Sequence, residues 1–149
     1  MEAFTSSSSV RRSTGFGFYI RASMALSQST SARQGLIVLR ELIGGGYVRD
    51  RGTGMSDLVV TSRPLLLTVL NEIAPYVLFK QRHVELALRL LPLIQPRMGA
   101  WEFLDVVRQV DAFSALNYSE TKRITAVDVE QHLRSKGLLA PVTTSSLAQ

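Results

Sequence analysis

The sequence predicts an α+β domain: a small, mainly antiparallel sheet with helices packed on one side and the other side left free. Three observations carry that reading. Residues 19–28 alternate, with Tyr19, Arg21, Ser23, Ala25 and Ser27 on one face and Ile20, Ala22, Met24 and Leu26 on the other. Residues 43–60, IGGGYVRDRGTGMSDLVV, read as two short strands joined by a glycine turn. From Leu36 to Leu133, apolar residues recur at helical spacing in one segment after another. A chain of 149 residues is long enough for one core but not two, and 46% apolar content separates it from disordered sequences.

Residues 1–18, MEAFTSSSSVRRSTGFGF, are Ser/Thr-rich, carry the pair Arg11 and Arg12, and hold a single acid, Glu2. That composition suits a mitochondrial targeting segment, with a chloroplast one as the alternative, or else a plain N-terminal tail. The domain is expected to run from 19 to 137, with 138–149 as a C-terminal tail. After the first strand, Ser29 or Thr30 offers an N-cap, and Leu36, Leu39, Leu42 and Ile43 form a stripe that Gly44, Gly45 and Gly46 terminate. Ser62 caps the next helix, with Pro64 in its first turn and Leu66, Val69, Leu70 and Ile73 on its apolar side. A helix over residues 80–91 ends before Pro92 and Pro96, and another over 101–116 carries Phe103, Leu104, Val107, Val110 and Phe113. Residues 117–124 are a polar loop, and Thr125 with Asp128 makes a capping-box-like start to a last helix ending near Gly137.

Several classes of chemistry are excluded. The chain has no cysteine, so thiol nucleophiles, disulfides and thiolate metal sites are absent. His83 and His132 fall on different predicted helices without neighbouring ligands and read as ordinary helical residues. The longest apolar stretch is interrupted by Asn71, Glu72 and Pro75, too early for a membrane span. Net charge is +5, and Arg outnumbers Lys fourteen to three. That bias favours planar, bidentate contacts to phosphates or guanine edges over diffuse solubilising charge.

The wet face of the predicted sheet gathers Tyr19, Arg21, Ser23, Ser27, Tyr47, Arg49, Arg51, Asp57, Val59 and Thr61. Arginines, hydroxyls, aromatic rings and one acceptor are the mixture that base edges and phosphates require. A second basic set comprises Lys80 with Arg82, and Lys122 with Arg123 in the loop before the last helix.

The run IGGGYVRDRGTGMSDLVV, taken with LSQSTSAR, PYVLFKQRHVELALRLL and FLDVVRQVDAFSALNYSETKR, resembles the single-motif, homodimeric LAGLIDADG homing endonucleases of organellar introns. The resemblance extends from about residue 19 to about residue 133. It implies a saddle-shaped sheet lying over nucleic acid, with the wet-face residues lining it and Lys80, Arg82, Lys122 and Arg123 on the backbone. It also implies that Gln28 matches a glutamine that orders water near the metals, Lys80 a lysine near the cleavage pocket, and Arg33 a supporting arginine.

No LAGLIDADG helix, and so none of the carboxylates with which the family holds its divalent metal, stands upstream of Tyr19. On that ground the expectation is a catalytically inactive derivative, without cofactor or metal. It would bind structured RNA rather than DNA, as part of an organellar ribosome or as a splicing factor. Other proteins of that assembly would cover the surface left by the missing dimer-interface helix. The alternative is a metal-dependent homing endonuclease whose motif helix is supplied elsewhere or lost from this sequence.

Overall fold

A computed structural model describes residues 3–12, 16–115 and 124–139. Four strands, β1 (Ala3–Arg12), β2 (Phe18–Ser29), β3 (Tyr47–Asp50) and β4 (Met55–Val60), form one sheet in the order β1-β2-β4-β3 with every neighbour antiparallel. The described helices are α1 (Arg33–Ile43), α2 (Arg63–Ile73), α3 (Gln81–Leu90), α4 (Ala100–Ala115) and α5 (Ala126–Ser135). The α+β class read from periodicity is the observed one.

The core lies on one side of the sheet. Met24, Leu58 and Val60 point into it from β2 and β4, and meet Leu36, Leu66, Leu70, Val84, Leu90, Leu104, Val107, Val129 and Leu133 from the helices. Alternation decides which strand residues take part: Leu58 and Val60 are core residues, whereas Asp57 and Val59 between and beside them face the other way.

Glycine sets two helix ends by the same device. Gly44 has φ 77° and closes α1 through Gly44 N–H to Glu41 O and Gly45 N–H to Arg40 O. Gly137, at φ 68°, closes α5 through Gly137 N–H to Arg134 O and Leu138 N–H to Leu133 O. Both pairs are the paired bonds of a left-handed C-terminal cap, a conformation that costs a side-chain-bearing residue energy. At the other end of α5, Thr125 and Asp128 form the reciprocal capping box their spacing suggested.

Two expectations need correction. The segment read as a tail or targeting sequence, residues 1–18, contains β1, which pairs with β2 from Ala3↔Ser27 to Arg12↔Phe18 and is packed by α3 and α4. Its run of serines has no apolar alternation, so the backbone ladder rather than side-chain patterning holds most of it, with Val10 entering the core. The domain therefore begins before residue 19. Leu42, assigned to the apolar stripe of α1, is instead 78% exposed, while Leu36 is the buried residue of that helix.

Candidate nucleic-acid interface

The face of the sheet opposite the core is uncovered by the described helices, and it divides into two ends. At the β3–β4 end, Asp57 is buried completely and has donors on both carboxylate oxygens. Ser27 Oγ donates to Asp57 Oδ1 at 2.7 Å, and Arg51 Nε donates to Oδ2 at 2.7 Å while its Nη2 lies 2.6 Å from Oδ1. Arg49 adds Nε and Nη2, each 3.1 Å from Oδ2, and Arg51 Nη2 also reaches Ser27 Oγ at 2.9 Å. The register explains the convergence: Arg49 pairs with Asp57 across β3–β4, and Ser27 pairs with Asp57 across β2–β4. Arg51 follows β3 in the Gly52/Gly54 turn, where its N–H still bonds Met55 O at 2.9 Å.

Burial pushes the Asp57 carboxyl pKa up, but the hydrogen bonds from Arg51, Ser27 and Arg49 outweigh it and hold the group below the ordinary carboxylate value. The same bond to Asp57 raises Arg51 against its own desolvation. The side chains of Arg49 and Arg51 remain 55% and 45% exposed. Two guanidinium groups are thus fixed from beneath by one buried carboxylate, with part of each fork turned to solvent. Both oxygens of Asp57 are occupied, so it is a positioning group rather than an open acceptor.

Asp57 and Ser27 were expected as exposed reading residues. The structure corrects that: both lie on the predicted face but beneath the arginines, because a carboxylate between two guanidinium groups is covered by them.

At the β1–β2 end the face is different in kind. Tyr19 is 44% exposed and Arg21 is exposed, and the Arg21 side chain has no ion pair among the described residues. The register places Arg11 opposite Tyr19 and Ser9 opposite Arg21, so these two residues of β1 join the same face. Sequence reading missed both, since the serine run conceals the strand; only the pairing reveals them. Ser23 lies next along this face, and Tyr47 of β3 is exposed at the far side.

The remaining expected site residues are scattered. Arg33 bonds Asp50 Oδ1 at 3.0 Å, and buried Ser56 donates to the same oxygen at 2.6 Å; the Ser56 bond, against some desolvation and aided by Arg33, lowers the Asp50 pKa. Gln28 accepts Ser29 N–H through Oε1 at 3.0 Å. Lys80 is the N-cap of α3 with φ 63°, the one side-chain-bearing residue with positive φ among the described residues, and Arg82 is exposed in the first turn of that helix. No bond among the described residues links Lys80 or Arg82 to the sheet. Lys122, Arg123 and Glu2 lie outside the described residues.

The histidines behave as ordinary residues of helices: His132 packs edge-on to Phe18 and against Gly17, where a Cβ would come within 2.6 Å of Nε2. No three His, Asp or Glu side chains converge among the described residues. With Asp57 committed to its arginines as well, the described residues do not fit the divalent metal that the resemblance implies.

No protein-family model matches the chain. It is 32% identical over 121 residues, 80% of this chain and 74% of the relative, to DNA endonuclease I-CreI of Chlamydomonas reinhardtii. The chain belongs to the LAGLIDADG homing endonuclease family. A second relative, DNA endonuclease I-CvuI of Chlorella vulgaris, is 25% identical over 120 residues, again 80% of this chain and 74% of the relative. Among solved structures, homing endonuclease I-CvuI in complex with its target superposes with TM-score 0.84 at 22% identity, covering 91% of this chain and 88% of that one. The archaeal intron-encoded endonuclease I-Vdi141I complexed with DNA gives TM-score 0.77 at 14% identity, covering 91% and 89%. These likenesses establish the LAGLIDADG fold.

Membership overturns the reading of the chain as an inactive, RNA-binding, ribosomal or splicing component. Both relatives are DNA endonucleases by name. The expectation that this LAGLIDADG chain is not an enzyme rested only on what stands before residue 19, and the match to both endonucleases over 80% of the chain does not support it. The preference for RNA falls with it.

Proposed function

We propose that this LAGLIDADG chain binds duplex DNA across the free face of its sheet and cuts both strands with the aid of divalent metal. The names of the two relatives support the activity. The observation that carries the binding mode is the Arg49–Asp57–Arg51 cluster: two guanidinium forks held at fixed positions on a twisted antiparallel sheet. Strands enter the wide major groove of B-form DNA, where a fixed guanidinium matches the O6 and N7 acceptors of guanine; the deep, narrow major groove of A-form RNA excludes them. Arg11, Arg21 and Tyr19 extend the same face with charge that has no ion pair among the described residues and with an aromatic edge, suited to phosphates. Carboxylates to hold that metal would have to come from outside the described residues, where the family resemblance expects a motif helix to supply them. Two such sheets, one from each copy of a dimer, would then span a two-part target.

Selection from a pool of duplexes with a randomised central segment tests this reading. With Ca²⁺ the full chain should enrich a defined duplex, and with Mg²⁺ that duplex should be cut at one position on each strand. Enrichment of no duplex, or equal retention of structured RNA and the selected DNA, would overturn it.

A further inference from the structure

β2 is twelve residues long, but β4 covers only half of one side of it. Pairing with β1 runs from Phe18 to Ser27, whereas pairing with β4 begins at Met24↔Val60 and ends at Ser29↔Met55. Over residues 18–23 the edge of β2 that faces away from β1 has no backbone partner among the described residues. Half of the N–H and C=O groups of those six residues point outward along that edge.

A groove of about 480 Å³ follows this edge. It is lined by β2 itself from Phe18 to Ala22, and by Phe16, Pro64, Met98 and Phe103, with the rings of Phe16 and Phe103 tilted by 44° at a centroid distance of 6.0 Å. Two guanidinium groups, Arg21 and Arg63, also line it, and neither has an ion pair among the described residues. We infer that residues 18–23 accept an additional strand: an extended polypeptide segment of a partner protein, in which apolar residues facing the groove alternate with acidic residues facing Arg21.

Each part of the site selects for this occupant. An open edge offers acceptors as often as donors, so it suits another peptide backbone and repels a phosphate chain at every second position. Ile20 and Ala22 pack against the core and line the groove, and an added strand in register sets its own alternate side chains beside them. The next residue on the opposite side meets Arg21, which favours a carboxylate there. A second copy of this chain is disfavoured for the same reason, since edge-to-edge pairing would bring Arg21 and Arg63 toward their own equivalents. A charged residue on an open strand is also a common guard against indiscriminate pairing, and here it makes the edge selective.

The probes are two blocked hexapeptides, acetyl-Val-Glu-Val-Glu-Val-Thr-amide and its analogue with Lys in place of both Glu. With the full chain and no DNA present, the acidic peptide should slow amide exchange within residues 18–23 and bind about tenfold more tightly than the lysine peptide. Arg21→Glu should reverse that preference. Arg21→Gln, a milder change, should abolish the preference while leaving the protection in place, which covers the case of a poorly folded Arg21→Glu chain. N-methylation of alternate amides on the edge of the acidic peptide that meets β2 should remove binding. Equal affinity for the two peptides, or protection confined to the outer edges of β1 or β3, would overturn the inference whether or not the chain cleaves DNA.

Discussion

The two ends of the free sheet face carry the same residue type in opposite states. Arg49 and Arg51 are tethered by four contacts of 2.6–3.1 Å to one buried carboxylate, whereas Arg11 and Arg21, on paired strands of the same sheet, have no acidic partner among the described residues. Tethering removes the rotamer freedom that an arginine otherwise loses on binding, and it fixes where the fork points. An untethered arginine keeps its reach and contributes charge. On the proposed DNA-binding face, one end would therefore discriminate and the other attract.

The largest effect that should separate the ends follows from removing both tethered arginines. Arg49→Ala with Arg51→Ala leaves Asp57 without a counter-charge and should destabilise the fold by about 2 kcal/mol, below the range for sealed ion pairs because shortening the side chains admits water. Adding Asp57→Ala should recover most of the loss. Urea midpoints of the double and triple variants check this, and a triple variant no more stable than the double would mean that the cluster is not thermodynamically coupled.

Acid should distinguish the ends next. A carboxyl whose pKa is lowered by folding stabilises the fold above its ordinary value of 3.8, and that contribution is lost as pH falls through the lower folded value. Thermal unfolding between pH 6 and pH 2.5 should therefore show a smaller decline for Asp57→Asn than for the native chain, while Arg21→Ala should follow the native curve. Parallel curves for Asp57→Asn and native protein would place the acid sensitivity elsewhere.

A smaller effect is expected of Ser27→Ala. It removes one donor to a buried carboxylate that retains four others, and should cost about 1 kcal/mol by chemical denaturation. DNA discrimination should soften as well, because Ser27 also holds Arg51 Nη2. A variant unchanged in both respects would show that the arginines alone determine the geometry.

The smallest stability effect belongs to the untethered end. Arg11→Ala with Arg21→Ala should shift stability by less than about 0.5 kcal/mol, yet reduce the salt dependence of DNA binding by about two counterions. Binding measured from 50 to 300 mM KCl checks it. An unaltered slope would confine the DNA to the tethered end.

Most of the helices were legible because their signals are local. The Gly44 and Gly137 caps, the Thr125–Asp128 box and the stripe of α2 each depend on residues within one or two turns of one another. Which face of β2 is wet was legible for the same reason, since alternation is a property of a single strand. Leu42 shows where periodicity stops: a helical stripe gives a direction, but the width of the contact against the sheet decides how far around the helix burial extends.

The sequence by itself determined the α+β class, the wet and dry faces of β2, which residues of β4 face the core, and the arginine-rich character of the opposite sheet face, because strand and helix periods are short-range. Only the tertiary structure decided that residues 3–12 belong to the sheet, since a serine run has no preference of its own and gains its order from a ladder with β2. Only it decided that Asp57 lies beneath Arg49 and Arg51 rather than beside them. Depth below a surface depends on what three separate segments bring to one point, and Ser27 stands thirty residues from the carboxylate it supports.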